Sequence, residues 1–341
     1  MAGRRLLVAT AVVAAAAAVV AAAALEAINV TTVAFEEGYT PLFGFDNILR
    51  SADDRTVSLL LDRSTGSGFM SSSMYQHGFF SASIKLPSDY TAGVVVAFYT
   101  SNGDVIEKRH DELDFEFLGN IRGKPWRVQT NVYGNGSVSR GREERYLLPF
   151  DPTTEFHRYS ILWTRAAIVF FVDDVPIREV RRTPAMTGDF PSKPMSIYAT
   201  VWDASTWATS GGRYRVNYRY GPFVASFTDL ALLGCRVGDP IGQMLSSAAC
   251  TAAEDALLAS DLAVMTLEKQ QAMRRFREQN MVYSYCYDTL RYPAPFLECD
   301  VVESERRRFK GNGQLRLGFR RRPAEPAPGS RPARPTRAAD M

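Results

Sequence analysis

Between residues 28 and 227 apolar positions come in short runs, and turn residues interrupt them before any run is long enough for an amphipathic helix. The runs at 56–61, 79–86, 93–99, 159–163, 167–172 and 195–202 are rich in Val, Ile, Phe, Leu and Tyr, as strands prefer. Gly, Asp, Asn and Pro separate them, as at Asp151-Pro152 and Asp173-Asp174. Many short strands with such punctuation predict an all-β domain over 28–227, an antiparallel sandwich or barrel without internal repeats.

After Gly234 the pattern changes. Residues 246–280 are alanine-rich, and Ala272, Met273, Phe276 and Asn280 follow helical spacing, so at least one helix belongs there. The segment 281–287, Met-Val-Tyr-Ser-Tyr-Cys-Tyr, reads as a further strand. Residues 235–303 are therefore expected to form a C-terminal extension, with helix and strand, packed on the sandwich. From 304 to 341 Arg, Pro, Gly and Ala dominate, which predicts a disordered basic tail unable to bury a core. Such a tail is either a solvated appendage or an adhesive for an anionic polysaccharide outside the cell, with affinity that falls as salt rises.

At the other end, Arg4-Arg5 precedes an apolar run from Leu6 to Leu25 with small residues at its end, the pattern of a signal peptide over 1–24. Cleavage is expected near Ala24 or Ala27. The run approaches the ~20 residues that span a bilayer, but alanine is only weakly hydrophobic, so cleavage and no later membrane association are expected. A secreted chain fits the cysteines: Cys235, Cys250, Cys286 and Cys299 are an even set in the last third. Three pairings are possible; sequential pairing closes two short loops. No C-x-x-C pair or neighbouring histidine supports zinc. In a secreted chain Asn29 and Asn135 are candidate glycosylation sites, each in an Asn-x-Ser/Thr sequon. A net charge of +3, most of its basic excess in the tail, gives the body no field to bind nucleic acid.

The candidate chemistry lies at 110–119, His-Asp-Glu-Leu-Asp-Phe-Glu-Phe-Leu-Gly, where acidic and apolar side chains alternate. In a strand Glu112, Asp114 and Glu116 share one face, with Leu113, Phe115 and Phe117 on the other. Such a row is a solvated face, a calcium site, or a catalytic device in which mutual repulsion raises one pKa to keep an acid protonated. Two carboxylates flanking a glycosidic bond hydrolyse it, with retention when they lie ~5–5.5 Å apart. Glu112 and Glu116 have Cα atoms roughly 13 Å apart along a strand, so their side chains must lean together, aided by twist. Asp114, shorter and between them, suits a helper. Gln129-Thr130-Asn131 supplies polar groups for hydroxyls, and Trp202 and Trp207 supply flat faces for sugar rings.

Those motifs carry a resemblance. With Phe150-Asp151-Pro152-Thr153, Phe156-His157, the run 159–163, Trp207-Ala208-Thr209, Gly211-Gly212, the run 281–286 and the two cysteine pairs, residues 31–299 resemble the plant xyloglucan endotransglucosylase/hydrolases of glycoside hydrolase family 16. The resemblance implies a concanavalin-like β-jelly-roll sandwich whose concave sheet holds a β-1,4-glucan. It implies Glu112 as nucleophile, Glu116 as general acid/base and Asp114 as the residue assisting the nucleophile. Polysaccharide contacts are implied at Gln129, Thr130, Asn131, Gly141, Arg142, Glu143, Trp207, Ala208, Gly212 and Arg291. It also implies the Cys235–Cys250 and Cys286–Cys299 pairing, no cofactor or metal, and xyloglucan chains as donor and acceptor in wall remodelling. Many members carry a sequon directly after the signature. Asn120-Ile121-Arg122 is not one, and Asn135 lies further on, as in the divergent branch with longer C-terminal regions. The alternative function is a non-catalytic glycan-binding wall protein on the same fold.

Overall fold

The computed structural model describes residues 27–237 and 247–316; the signal segment expected at 1–24 and the tail from 317 lie outside them. In chain order the first elements are α1 (Phe35–Gly38), β1 (Tyr39–Phe43), β2 (Ile48–Arg50), β3 (Val57–Leu61), β4 (Ser67–Ser71) and β5 (Met74–Lys85). The middle of the chain holds β6 (Val94–Ser101), β7 (Glu112–Leu118), β8 (Arg127–Tyr133), β9 (Glu144–Leu147), β10 (His157–Trp163) and β11 (Ala167–Val172). Then come β12 (Val175–Arg181), β13 (Ser196–Asp203), β14 (Phe223–Val237), α2 (Ser247–Ala259), α3 (Leu267–Asn280), β15 (Met281–Asp288), α4 (Glu303–Arg306) and β16 (Asn312–Gln314).

The strands form two antiparallel sheets, β1-β4-β13-β6-β7-β8-β9-β15-β16 and β12-β11-β10-β5-β14-β3-β2. Their facing sides interleave into the core of a β-jelly-roll sandwich. The strand period of two decides what β7 gives to that core. Leu113, Phe115 and Phe117 are fully buried. The Phe115 ring meets Phe170 of the opposite sheet edge-on at 5.2 Å, and Phe117 meets Tyr159 at 4.7 Å. Each buried side chain contributes ~1.5–3 kcal/mol by leaving water, so three of them fix β7 in register and leave its acidic face free for other work.

Two boundaries differ from expectation. The strand that closes the sandwich does not stop at 227: β14 continues to Val237 as a neighbour of β5. A bulge between Thr228 and Ala231, with Asp229 at φ 51° accepting a hydrogen bond from Ser83, interrupts the alternation that would have revealed it. The helical stretch is two helices, with Thr266 capping α3 by accepting from the Lys269 amide at 3.3 Å. The tail is ordered from 304 to 316, against the expectation of disorder. Glu305 and Phe309 are buried there, Phe309 stacks on Tyr287 at 5.1 Å, and β16 pairs with β15 at the sheet edge. Two burying side chains among the arginines suffice to hold that segment down. Both disulfides pair sequentially, Cys235–Cys250 tying β14 to α2 and Cys286–Cys299 tying β15 to its following loop.

The C-terminal segment is joined to the sandwich by charge as well. Glu144 is buried and accepts from Arg277 of α3 at 2.7 and 3.0 Å, from Tyr146 at 2.5 Å and from Ser284 at 2.9 Å. Arg277 also donates to Glu305 at 3.0 Å. Burial opposes ionisation of Glu144, but Arg277 and Arg178 outweigh it and bring the carboxyl down to about 2. Its folded pKa lies below its unfolded one, so the stabilisation is complete above about pH 4.5 and disappears as pH falls toward 2. Arg277→Met removes the cation shared by two buried carboxylates, leaving Glu144 with Arg178 alone, and is expected to lose about 3–5 kcal/mol. Near-ultraviolet circular dichroism should show its acid unfolding midpoint at higher pH than that of the unaltered chain.

The start of β7 is pinned one residue earlier. Asp111, fully buried, accepts from the backbone amides of Asn135 and Ser192 at 2.7 Å and of Lys193 at 2.8 Å, and pairs with the Lys193 ammonium at 2.5 Å. Removing this carboxylate orphans three backbone amides and the Lys193 ammonium. Asp111→Ala is expected to cost about 3 kcal/mol or more. For a chain of this size calorimetry should read that as a melting point lowered by roughly 5 °C or more.

Candidate active site

Cross-strand partners in an antiparallel sheet share a face, so register alone places the residues around the acidic row. Glu112 lies between Ser101 of β6 and Tyr133 of β8, Asp114 between Tyr99 and Asn131, and Glu116 between Ala97 and Gln129. Beyond Ala97 comes Thr200 of β13, and beyond Gln129 comes Arg145 of β9. These lateral rows form the floor of a cleft of about 540 Å³ on the outer face of the nine-stranded sheet. Glu112, Asp114, Glu116, Gln129, Asn131, Tyr133 and Glu143 line it on one side, and Tyr99, Thr200, Trp202, Trp207 and Phe43 on the other.

The cleft is a poor solvent for charge, and that determines the protonation of the row. Burial raises Glu112, but hydrogen bonding from Ser101 and the nearness of His110 oppose the rise. Burial likewise drives Glu116 up to about 7, assisted by Glu112 and Glu143 and opposed by Gln129 and Arg145. Asp114 lies well above the usual carboxylate range, first from burial and then from Glu112 and Glu116 on either side. Burial thus makes all three carboxyls resist ionisation, and Asp114 is opposed further by a glutamate on either side. Carboxyls that resist losing their protons together on one face can hold a proton and a negative charge side by side, which is what acid-assisted nucleophilic substitution requires.

The expected contact residues divide. Gln129, Asn131, Glu143, Trp202 and Trp207 line the cleft, with the Trp207 side chain exposed. Thr130 does not: one position out of phase, it is fully buried and accepts from Arg178 at 2.9 Å on the core side. Arg142 does not either, being buried between Asp189 at 3.0 Å and Glu298 at 2.6 Å with Phe296 beneath it. Gly141 stands behind Glu143, where an added Cβ would lie 2.9 Å from the Glu143 carboxylate. Ala208 packs against Val95, Leu118 and Ala204 beneath the tryptophans. Gly212, at φ +83°, shapes their loop, since a Cβ there would meet the Thr206 carbonyl at 2.3 Å. Arg291 acts on the cleft indirectly, donating to Glu143. Asn29 and Asn135 are both exposed. Tyr99, Tyr133, Thr200 and Arg145 carry no signal of their own in the sequence; only strand register brings them to the cleft. Among the described residues no set of His, Cys, Asp or Glu gathers to hold a metal ion.

Comparison with known proteins follows the same lines. A model described as glycosyl hydrolases family 16 matches residues 35–220, and one described as the xyloglucan endo-transglycosylase C-terminus matches 253–299. The chain is 63% identical over 290 residues to the probable xyloglucan endotransglucosylase/hydrolase protein 30 of Arabidopsis thaliana, covering 85% of this chain and 84% of that one. It is 58% identical to probable protein 29 of the same plant over 299 residues, with the same coverage. Among solved structures, a Bacillus licheniformis β-glucanase aligns with a TM-score of 0.45 at 21% identity, covering 57% of this chain and 90% of that one.

Proposed function

The chain belongs to glycosyl hydrolase family 16, and we propose that it is a secreted xyloglucan endotransglucosylase/hydrolase that cuts and rejoins xyloglucan in the plant cell wall with retention of configuration. The observation that carries this reading is the row Glu112, Asp114 and Glu116 on the floor of a cleft walled by Trp202 and Trp207. A β-1,4-glucan lies across the strands, its sugar faces on the tryptophans. The Glu112 carboxylate attacks C1 of the donor glucosyl while Glu116 gives its proton to the departing O4, so a C1–Oε ester forms as the C1–O4 bond breaks. Asp114 donates a hydrogen bond to Glu112, steadying the carboxylate before attack and after release. Glu116, now ionised, takes the proton from the 4-hydroxyl of a second chain, or from water, as that oxygen displaces Glu112 at C1. Two inversions restore the β-configuration.

Transfer to sugar prevails over transfer to water when acceptor subsites hold a glucan in line with the ester. Incubation with xyloglucan and a fluorescent xyloglucan oligosaccharide is expected to move the label into polymer. Accumulating reducing ends with no labelled polymer would overturn the transferase reading.

A further inference from the structure

One lateral row runs across the sheet from β15 to Glu116. Tyr283 of β15 faces Arg145 of β9, Arg145 faces Gln129 of β8, and Gln129 faces Glu116. The Arg145 guanidinium sits 4.8 Å from the centre of the Tyr283 ring, a cation–π seat that restrains an otherwise flexible side chain. From there its Nε donates to the Gln129 Oε1 at 2.6 Å, and the Gln129 Nε2 donates to Glu116. An amide has one accepting and one donating end, and a guanidinium can only donate. With Arg145 holding the oxygen, the nitrogen must face Glu116.

We propose that Arg145 is a positioning residue for Glu116: seated on Tyr283, it locks the Gln129 amide in the one orientation that offers Glu116 a donor, and thereby sets the pH at which Glu116 gives up its proton. Without Arg145 the amide is free to turn, and its carbonyl then accepts from the protonated acid, favouring the form that the donor disfavours. Loss of the nearby positive charge acts in the same direction, since Arg145 lowers the pKa of Glu116. The other titratable groups around Glu116 are Glu112 and Asp114 on its own strand, Tyr133 on β8, and Glu143, whose charge Arg291 offsets. Arg127, also on β8, lies within reach of the Arg145 charge. All of these remain in an Arg145 variant, so a displaced titration reports Arg145.

The inference rests on Glu116 being the acid/base of the proposed reaction, and two measurements separate the two claims. In Arg145→Met the basic limb of the pH profile of donor kcat/KM is expected to move up by about one pH unit. Arg145→Lys, which keeps the charge but loses the planar fork, should move it by less. Independently of turnover, infrared titration of the carboxyl C=O band, assigned by its loss in Glu116→Gln, should show the same upward midpoint shift in Arg145→Met. An unmoved midpoint in both arginine variants would overturn the proposal, as would a raised KM with the limb unmoved. An unaltered protein inactive on xyloglucan, with the infrared midpoint still displaced in the variants, would instead discard the functional reading and leave the positioning role standing.

Discussion

Glu112→Gln is expected to lower turnover of xyloglucan by about four orders of magnitude or more, while the melting point stays within a few degrees of the unaltered chain. Glutamine has the same shape and can still accept from Ser101, so the lateral row with Tyr133 and Ser101 is kept. It cannot form the ester that divides the proposed reaction into two steps. A factor of ten thousand is about 5.5 kcal/mol of barrier. No other carboxylate on the face is equivalent: Asp114 is shorter and is held against ionisation by burial and its two glutamate neighbours, and Glu116 is bonded to Gln129 on the far side of the row. The intermediate gives a second readout. A 2-fluoro-substituted oligosaccharide donor should leave a covalent mass increment on the unaltered protein and none on the variant. Labelled Glu112→Gln, or surviving turnover, would remove the nucleophile from this position.

Much of this site can be read along the chain, and the reason is the period of two. Acid–apolar alternation at 112–117 is enough by itself to separate a core face from a working face, and the core face meets Tyr159 and Phe170 accordingly. The same rule explains why Thr130 departs from expectation. Gln129-Thr130-Asn131 is polar throughout, so composition groups the three together, whereas the pleat sends Thr130 inward to Arg178. Arg142 departs for a related reason: the resemblance implies a sugar contact there, but its partners Asp189 and Glu298 are 47 and 156 residues away in sequence. Tyr99, Thr200 and Arg145 belong to the cleft only because β6, β13 and β9 lie beside β7 and β8, and strand order is a long-range property. The ordered stretch from 304 to 316 was hidden because arginine-rich composition masks the two side chains, Glu305 and Phe309, that hold it.

The second large effect belongs to Glu116 and depends on what leaves. In the proposed reaction Glu116→Ala removes the proton donor for O4, a poor leaving group, and xyloglucan turnover is expected to fall by about 10²–10⁴. An aryl oligosaccharide whose phenol departs without protonation should lose little in the first step, so an initial burst of phenol is expected before the slow second step, with azide restoring turnover by needing no base. Unequal losses on the two donors are the signature of an acid; equal losses would make Glu116 a structural or binding residue. The pH dependence points the same way. Burial holds Glu116 at about 7. Because the protonated form is the active one in the first step, donor kcat/KM should fall as pH rises through that value. On the acid side it should fall as Glu112 is neutralised, giving a bell whose basic limb is absent from Glu116→Ala acting on the aryl donor. Retention of the basic limb in that variant would assign it to another group on the cleft floor, and the first to test would be Asp114, held high by burial and by its two glutamate neighbours.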